Sequence, residues 1–397
     1  MKHIYRSGSV LAAVCLIFSL GFFAGSTLPT LQTQAQQPAE TETLFEPFWE
    51  TWGFLKQRYL HIEDFTDEQL MEAALNGMVN VLGDENTAYM NPQLYSELTN
   101  RMSGEYEGIG ATVRRDEATG GVLIVSTTEG SPAREMLRQG DIVLAVDGKD
   151  ITGLSLTEAV QLIRGPSGTF VELKVMRKGT SEPLQLKVQR ARIRQEIVSY
   201  RLFEGNIGYV SIASFADNVP ADLEKALTAL NANQLNGLIL DMRNDPGGGL
   251  QTAIDVASFF LEGGVIVRQQ GREETDEIVY RASRDALAPD VPMVVLLNQA
   301  SASASELVAG ALQDRGRAKV VGTLSFGKGS IQQWLRLGNG GGLRVTIAQF
   351  FKPSGGVINH VGIIPDLVVP WTEDQARDNP DYDPQLTEAI WQLLGKM

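Results

Sequence analysis

"NGLILDMRNDPGGGL", residues 236–250, reads as a buried strand running into a glycine loop and then into a helix. Its apolar residues are continuous rather than alternating, as expected of a strand covered on both faces. Pro246 and three consecutive glycines follow, with no side chains to block their N–H groups. The same progression recurs in "PMVVLLNQASASASELVAGALQDRG", residues 292–316, where a run of small residues separates an apolar strand from a helix. Around these lie a strand in "IGYVSIASF" (207–215), a helix in "ADLEKALTALNAN" (221–233), a helix in "LQTAIDVASFFLEGG" (250–264) and a strand in "AKVVG" (318–322). This alternation predicts an α/β core, a mainly parallel sheet flanked by helices. Active sites of such folds gather at the carboxyl ends of the strands. Both "RNDPGGGL" and "NQASASASE" fall there.

The chain has 397 residues, 43% of them hydrophobic and 21% charged, enough for two or three packed domains. A net charge of -14 argues against a nucleic-acid partner or docking on an anionic membrane. Cys15 is the single cysteine and His3, His61 and His360 are the only histidines, so neither an intramolecular disulfide nor a zinc site is expected. No metal or other cofactor is implied. Lys2 and Arg6 precede an uncharged run from Ser9 to Leu28, which reads as an export signal or an uncleaved membrane anchor over residues 1–28. The remainder is expected on the extracytoplasmic side.

Residues 29–42 are a Gln/Thr/Pro-rich linker, and 43–103 a helical region opened by an aromatic-rich helix that is core-facing or dimer-forming. Residues 104–190 change texture: five short strands and two helices make a self-contained small domain. Its first helix is expected in "SPAREMLRQGD", with Ser131 as N-cap and Gly140 after the end. Its second is opened by a Ser155–Glu158 capping box and closed by Gly165. The α/β core is placed at 191–372, followed by a tail and helix at 373–397.

A serine in "ASASASE" could act as a nucleophile only if a base removes its proton. His360 is the single histidine available to the core. The alternative is Lys328 in "TLSFGKGSIQQ", between two glycines, with no acid from Gly316 until Asp366. A lysine serves as a base when burial keeps it neutral; otherwise this one is a surface turn residue. Acyl transfer also needs N–H donors for an oxyanion, which "DPGGGL" can supply. That loop lacks the lysine and Ser/Thr of a phosphate-binding P-loop, and Asp245 would repel a phosphate.

Together "GLILDMRNDPGGGL", "NQASASASELVAGALQDRGRAKVVGTLSFGKGSIQ", "FFKPSGGVINHVGIIPD" and "GMVNVLGDENTAYMNP" resemble, in order and spacing, the carboxy-terminal processing peptidases, a tail-specific serine–lysine protease family. The resemblance covers roughly residues 42–370 and makes 104–190 an inserted PDZ domain beside a ClpP/crotonase-like core. It implies Ser303 as nucleophile, three residues before Glu306, with Lys328 as base and Gln332 positioning the lysine amine. Ala304 and either Gly247 or Gly248 would form the oxyanion hole. Ser301 and Ser305 would share one side of an opening helical turn, and Ser303 would point the other way. In the PDZ unit, Gly108, Ile109 and Gly110 would hold a substrate C-terminus against the helix at 155–163, and Arg164 would couple this domain to the core. Asp245 stands where the family usually has asparagine, and the loop carries an extra glycine. The implied function is an exported serine endopeptidase cutting polypeptides near apolar C-termini, with a homodimer as its candidate assembly; the alternative is a non-catalytic PDZ scaffold that binds tails.

Overall fold

The computed structural model describes residues 39–282, 286–371, 375, 379 and 382–395. The export or anchor segment lies outside them, and no helix among the described residues is long and apolar enough to cross a membrane. The chain divides into two units, 1–71 and 72–397. In the first, helix α1 (Ala39–Arg58) leaves Trp49 and Phe54 exposed, so it is not the core-facing helix its aromatics allow. Lys56 pairs with Asp67 at 2.7 Å. Helix α2 (Asp67–Asn80) spans the boundary.

The second unit opens with strand β1 (Ala88–Met90) and helix α3 (Pro92–Met102), whose first turn is capped by the Asn91 side chain accepting from the Leu94 N–H. Then comes β2 (Glu105–Gly108), which pairs antiparallel with β9 (Ala191–Arg194), so the two ends of the small domain leave side by side. Between them β3 (Ala111–Arg115), β4 (Val122–Thr127), β5 (Ile142–Val146), β7 (Phe170–Met176) and β8 (Leu184–Gln189) form one antiparallel sheet in that order, with β6 (Lys149–Asp150) on β5. Along β7, Val171, Leu173 and Val175 are buried and the residues between them exposed, the period-two signature of a half-covered sheet. Helix α4 (Pro132–Met136) is shorter than expected, because Leu137 already has an extended backbone. Nor does Ser131 cap it: its hydroxyl sits between the carbonyls of Thr128 (2.7 Å) and Gly110 (3.0 Å), donating its one proton to either, and pins the glycine loop instead. Helix α5 (Leu156–Ile163) has the expected Ser155–Glu158 capping box.

The core holds β10 (Val198–Phe203), β11 (Ile207–Ile212), β12 (Gly237–Asp241), β15 (Met293–Leu297), β16 (Lys319–Gly322) and β19 (Leu367–Val368) in one sheet, parallel except for β10. Helices α6 (Val219–Ala229), α7 (Leu250–Ser258) and α8 (Ala304–Asp314) bury their apolar faces in one core with Leu238, Leu240, Val295 and Leu297. The opposite face, Ile239, Val294 and Leu296, is covered by α9 (Pro384–Leu394) through Ala389, Leu386 and Ile390. A second, antiparallel sheet was not anticipated: β1, β13 (Val265–Gln270), β14 (Glu277–Arg281), β17 (Ser330–Arg336) and β18 (Gly342–Phe351), with β18 pairing with β1, β13 and β17.

Arg190, buried just before β9, ends α5. Its guanidinium donates to the carbonyls of Leu162 and Ile163 at the helix end and of Phe170 at the start of β7. Arg190→Met should cost about 2–4 kcal/mol, from lost charge-assisted bonds and orphaned carbonyls. Denaturant unfolding of the full chain checks this; a loss within error of zero would contradict it.

Candidate active site

The glycine loop after β12 and the small-residue run after β15 meet at the carboxyl end of the parallel sheet. The Ala302 N–H donates to the Asp245 carbonyl (2.9 Å), and the Ser305 hydroxyl donates to the same oxygen (3.1 Å). Ser301 is fully buried, its hydroxyl donating to the Met242 carbonyl and accepting the Asn298 N–H. Ser301 and Ser305 therefore stitch the two loops together, while Ser303 is left partly accessible. The reason is not the helical one expected. Helix α8 begins only at Ala304, and Ser303 sits before it with φ 54° and ψ -110°, a conformation rare for a residue with a side chain.

Glu306 holds that conformation. Its carboxylate is fully buried and accepts from the Ser303 N–H (2.8 Å), the Lys328 N–H (2.8 Å), the Gly327 N–H (2.6 Å) and the Ser325 hydroxyl (2.5 Å). One carboxylate thus anchors the backbone of both Ser303 and Lys328. The Lys328 loop is fixed from its other side by the His360 N–H, which donates to the Gly327 carbonyl at 2.7 Å. His360 is exposed and has φ 60°; it reaches the site through its backbone.

Burial pushes the Lys328 ammonium below the ordinary lysine range, and the Arg344 charge pushes the same way, while Glu306 and Asp84 oppose them. Among the described residues no hydrogen bond or ion pair ties its Nζ. Gln332 is not bonded to the amine: its Nε2 donates to Ser330 Oγ (2.8 Å) and Thr346 Oγ1 (3.3 Å). Asp84 and Arg344 escaped the sequence reading. "GDENTAYMNP" is part of the family resemblance, but nothing in it says that its turn folds onto β18.

The glycine loop approaches Ser303 closely: a Cβ on Gly247, at φ 98°, would lie 2.8 Å from Ser303 Cβ and 2.9 Å from the Ala304 nitrogen. The Gly247 N–H donates to Asp245 Oδ1 at 2.7 Å. The Gly248 and Ala304 N–H groups have no acceptor among the described residues. Asp245 is fully buried, with Oδ2 unpartnered, and burial pushes its carboxyl up to about 8.

A cavity of about 1110 Å³ is lined at one end by Gly247, Gly248 and Pro246 and at the other by Gly108, Ile109 and Gly110 of the small domain. Ile124, Val160 and Ile163 give that second end an apolar wall. The N–H groups of Ile109 and Gly110 have no acceptor among the described residues. Arg164, at the end of α5, lies over the Tyr106 ring (5.4 Å) and 3.9 Å from Glu97 of α3.

Comparisons with known proteins agree on the class. Peptidase family S41 matches residues 206–369 and the PDZ domain matches 98–189, so the fold and site are those of a peptidase with a PDZ module. A carboxy-terminal-processing protease of Bartonella bacilliformis is 37% identical over 361 residues, covering 89% of this chain and 82% of that protein. A carboxyl-terminal-processing protease of Synechocystis is 36% identical over 325 residues, covering 81% of this chain and 75% of its own. The solved photosystem II D1 C-terminal processing protease is 28% identical with a TM-score of 0.50, covering 88% of this chain and 90% of that one. The chain belongs to the carboxy-terminal processing proteases, serine-type endopeptidases of family S41.

Two outcomes follow from the buried carboxyls. Glu306→Gln keeps one carbonyl oxygen for two of the four donors and turns an amide N–H₂ toward the other two; it should cost about 3 kcal/mol or more and roughly a hundredfold in peptidase rate, read by unfolding and by peptide cleavage. For Asp245, the unfolded chain ionises near 3.8 while the folded chain keeps the proton to about 8. Stability therefore falls as pH rises through that window and levels off above it. The melting temperature of Asp245→Asn relative to the parent should be lowest near the acid end of the window and rise across it. A pH-independent difference would contradict the assignment.

Proposed function

We propose that Ser303 and Lys328 form the catalytic dyad of an exported endopeptidase that cuts polypeptides near apolar C-termini. The observation that carries this reading is the single cavity joining the PDZ glycine loop to the glycine loop beside Ser303. A free carboxylate accepting the Ile109 and Gly110 N–H groups would add its chain as a strand, its last apolar side chain against Ile124, Val160 and Ile163. The preceding residues would then lie along the cavity toward Ser303.

Chemistry follows from the two loops. Neutral Lys328 takes the Ser303 proton as Oγ bonds to the scissile carbonyl carbon, and the oxyanion is held by the Ala304 and Gly248 N–H groups. Of the two glycines considered, Gly248 is favoured because Gly247 already donates to Asp245. Collapse breaks the C–N bond, and the departing amine takes the proton from Lys328. Lys328 then deprotonates a water, which attacks the acyl ester and releases the new C-terminus and Ser303. Gln332 would take the amine on its Oε1, its Nε2 being engaged by Ser330 and Thr346. Arg164, which lies over Tyr106 and 3.9 Å from Glu97 of α3, would couple the PDZ unit to the core.

Export rests on the basic, apolar N-terminal segment and puts the catalytic body on the extracytoplasmic side. The reading is tested with a disordered substrate ending in apolar residues. Ser303→Ala and Lys328→Ala should each reduce cleavage by at least a thousandfold while leaving the fold and tail binding intact. Undiminished cleavage by either variant, or cleavage abolished by a chelator, would reject the dyad.

A further inference from the structure

Gln332, four residues after Lys328, meets through Thr346 a part of the chain to which no role has been given. Asp84 opens a tight turn in which its Oδ1 accepts the Asn86 N–H (2.9 Å) and its Oδ2 the Thr87 hydroxyl (2.6 Å). The turn is sewn to β18 at two points: Thr87 Oγ1 accepts the Thr346 N–H (3.0 Å), and the Asn86 carbonyl accepts from Arg344 Nε (2.7 Å). Arg344 and Thr346 are two residues apart on one strand and so face the same side of the sheet. Thr346 there meets Gln332, four residues after Lys328, and Arg344 also lines the cavity that contains Gly247 and Gly248.

Resting on the Ser303–Lys328 reading, we propose that Arg344 and Asp84 are positioning residues of opposite sign that together set how readily Lys328 holds its proton. Arg344 disfavours the ammonium, and Asp84 opposes it. The two do not cancel by pairing, since no Arg344–Asp84 ion pair within 4 Å occurs among the described residues and the Arg344 Nε is spent on a neutral carbonyl. The charged groups acting on Lys328 are three: Arg344 from β18, Asp84 from the turn and Glu306 from α8, and their directions agree with this division. Glu306 is committed to four donors of the backbone and Ser325. Arg344 and Asp84 are therefore the adjustable pair.

The signs separate this proposal from a merely structural role. A fluorophosphonate probe reacts with a serine only when its base is neutral, so its second-order labelling rate against pH reads Lys328 through Ser303. Arg344→Gln should move the acid limb of that profile up by about one pH unit, a roughly tenfold slower labelling below the limb. Asp84→Asn keeps a side-chain acceptor for the turn and should move the limb down by a similar amount. Arg344→Lys should restore the parent profile. Opposite shifts with the lysine rescue support the proposal; unmoved limbs, or limbs that move in the same direction, overturn it. Melting curves accompany each variant, and if Arg344→Gln does not fold, Asp84→Asn still decides, by a downward shift or its absence. Lys328→Ala distinguishes the failures: labelling that persists in it rejects the dyad itself, whereas silence in it with unmoved limbs elsewhere rejects only the Arg344–Asp84 assignment.

Discussion

The Glu306 carboxylate is the interaction on which the site depends. Burying an ionised carboxylate is unfavourable by several kcal/mol unless its lone pairs are used. Here four donors use them: two hold the residue before α8 and the lysine of the neighbouring loop, and two hold the loop between. The carboxylate also sits in the first turn of α8, where the helix dipole favours negative charge. These contributions offset the strained backbone of Ser303, a cost on the order of 1–3 kcal/mol. Without them, the chain would relax to an ordinary helix start and Ser303 would turn into the position its neighbours occupy.

The partner constraint is Asp245, which joins the glycine loop to the same helix start. Its peptide oxygen takes two donors from the serine run, and its side chain takes the Gly247 N–H. The strand that delivers it is fixed at its end by Arg243, which bonds Asp241, Asp383 and Gln385 and lies against Trp371. So α9, far along the chain, braces the end of β12 from the opposite face of the sheet. That such loops sit at strand ends is general to α/β folds; that these two stay there depends on these buried polar contacts.

What was legible in the sequence follows from locality. Continuous apolar runs identified β12 and β15, because strands buried on both faces have no polar side to interrupt them. The capping box of α5 was readable because all its atoms lie within four residues. The second sheet was not readable: β17 and β18 are half-exposed, and β1 joins them from some 250 residues away. Ser303 was singled out by family spacing, and the geometric reason offered for it, helical phase, was the wrong one. A positive φ on a serine leaves no mark in the sequence, nor does a turn at Asp84 that meets Arg344 across 258 positions.

The electrostatics of the lysine show why this distant packing matters. From Gly316 to Pro365 the chain carries no acid, so any carboxylate near Lys328 must be brought from elsewhere. The structure brings two, and each has its oxygens engaged by uncharged donors: Glu306 by N–H groups and Ser325, Asp84 by Asn86, Thr87 and their neighbours. Neither forms an ion pair with the ammonium among the described residues, so neither supplies the short contact that would hold the lysine charged. Arg344 adds a positive charge on the same side. A chain of net charge -14 thus builds, at one point, a setting that weakens a lysine's hold on its proton, and it does so by engaging its nearby acids with uncharged donors.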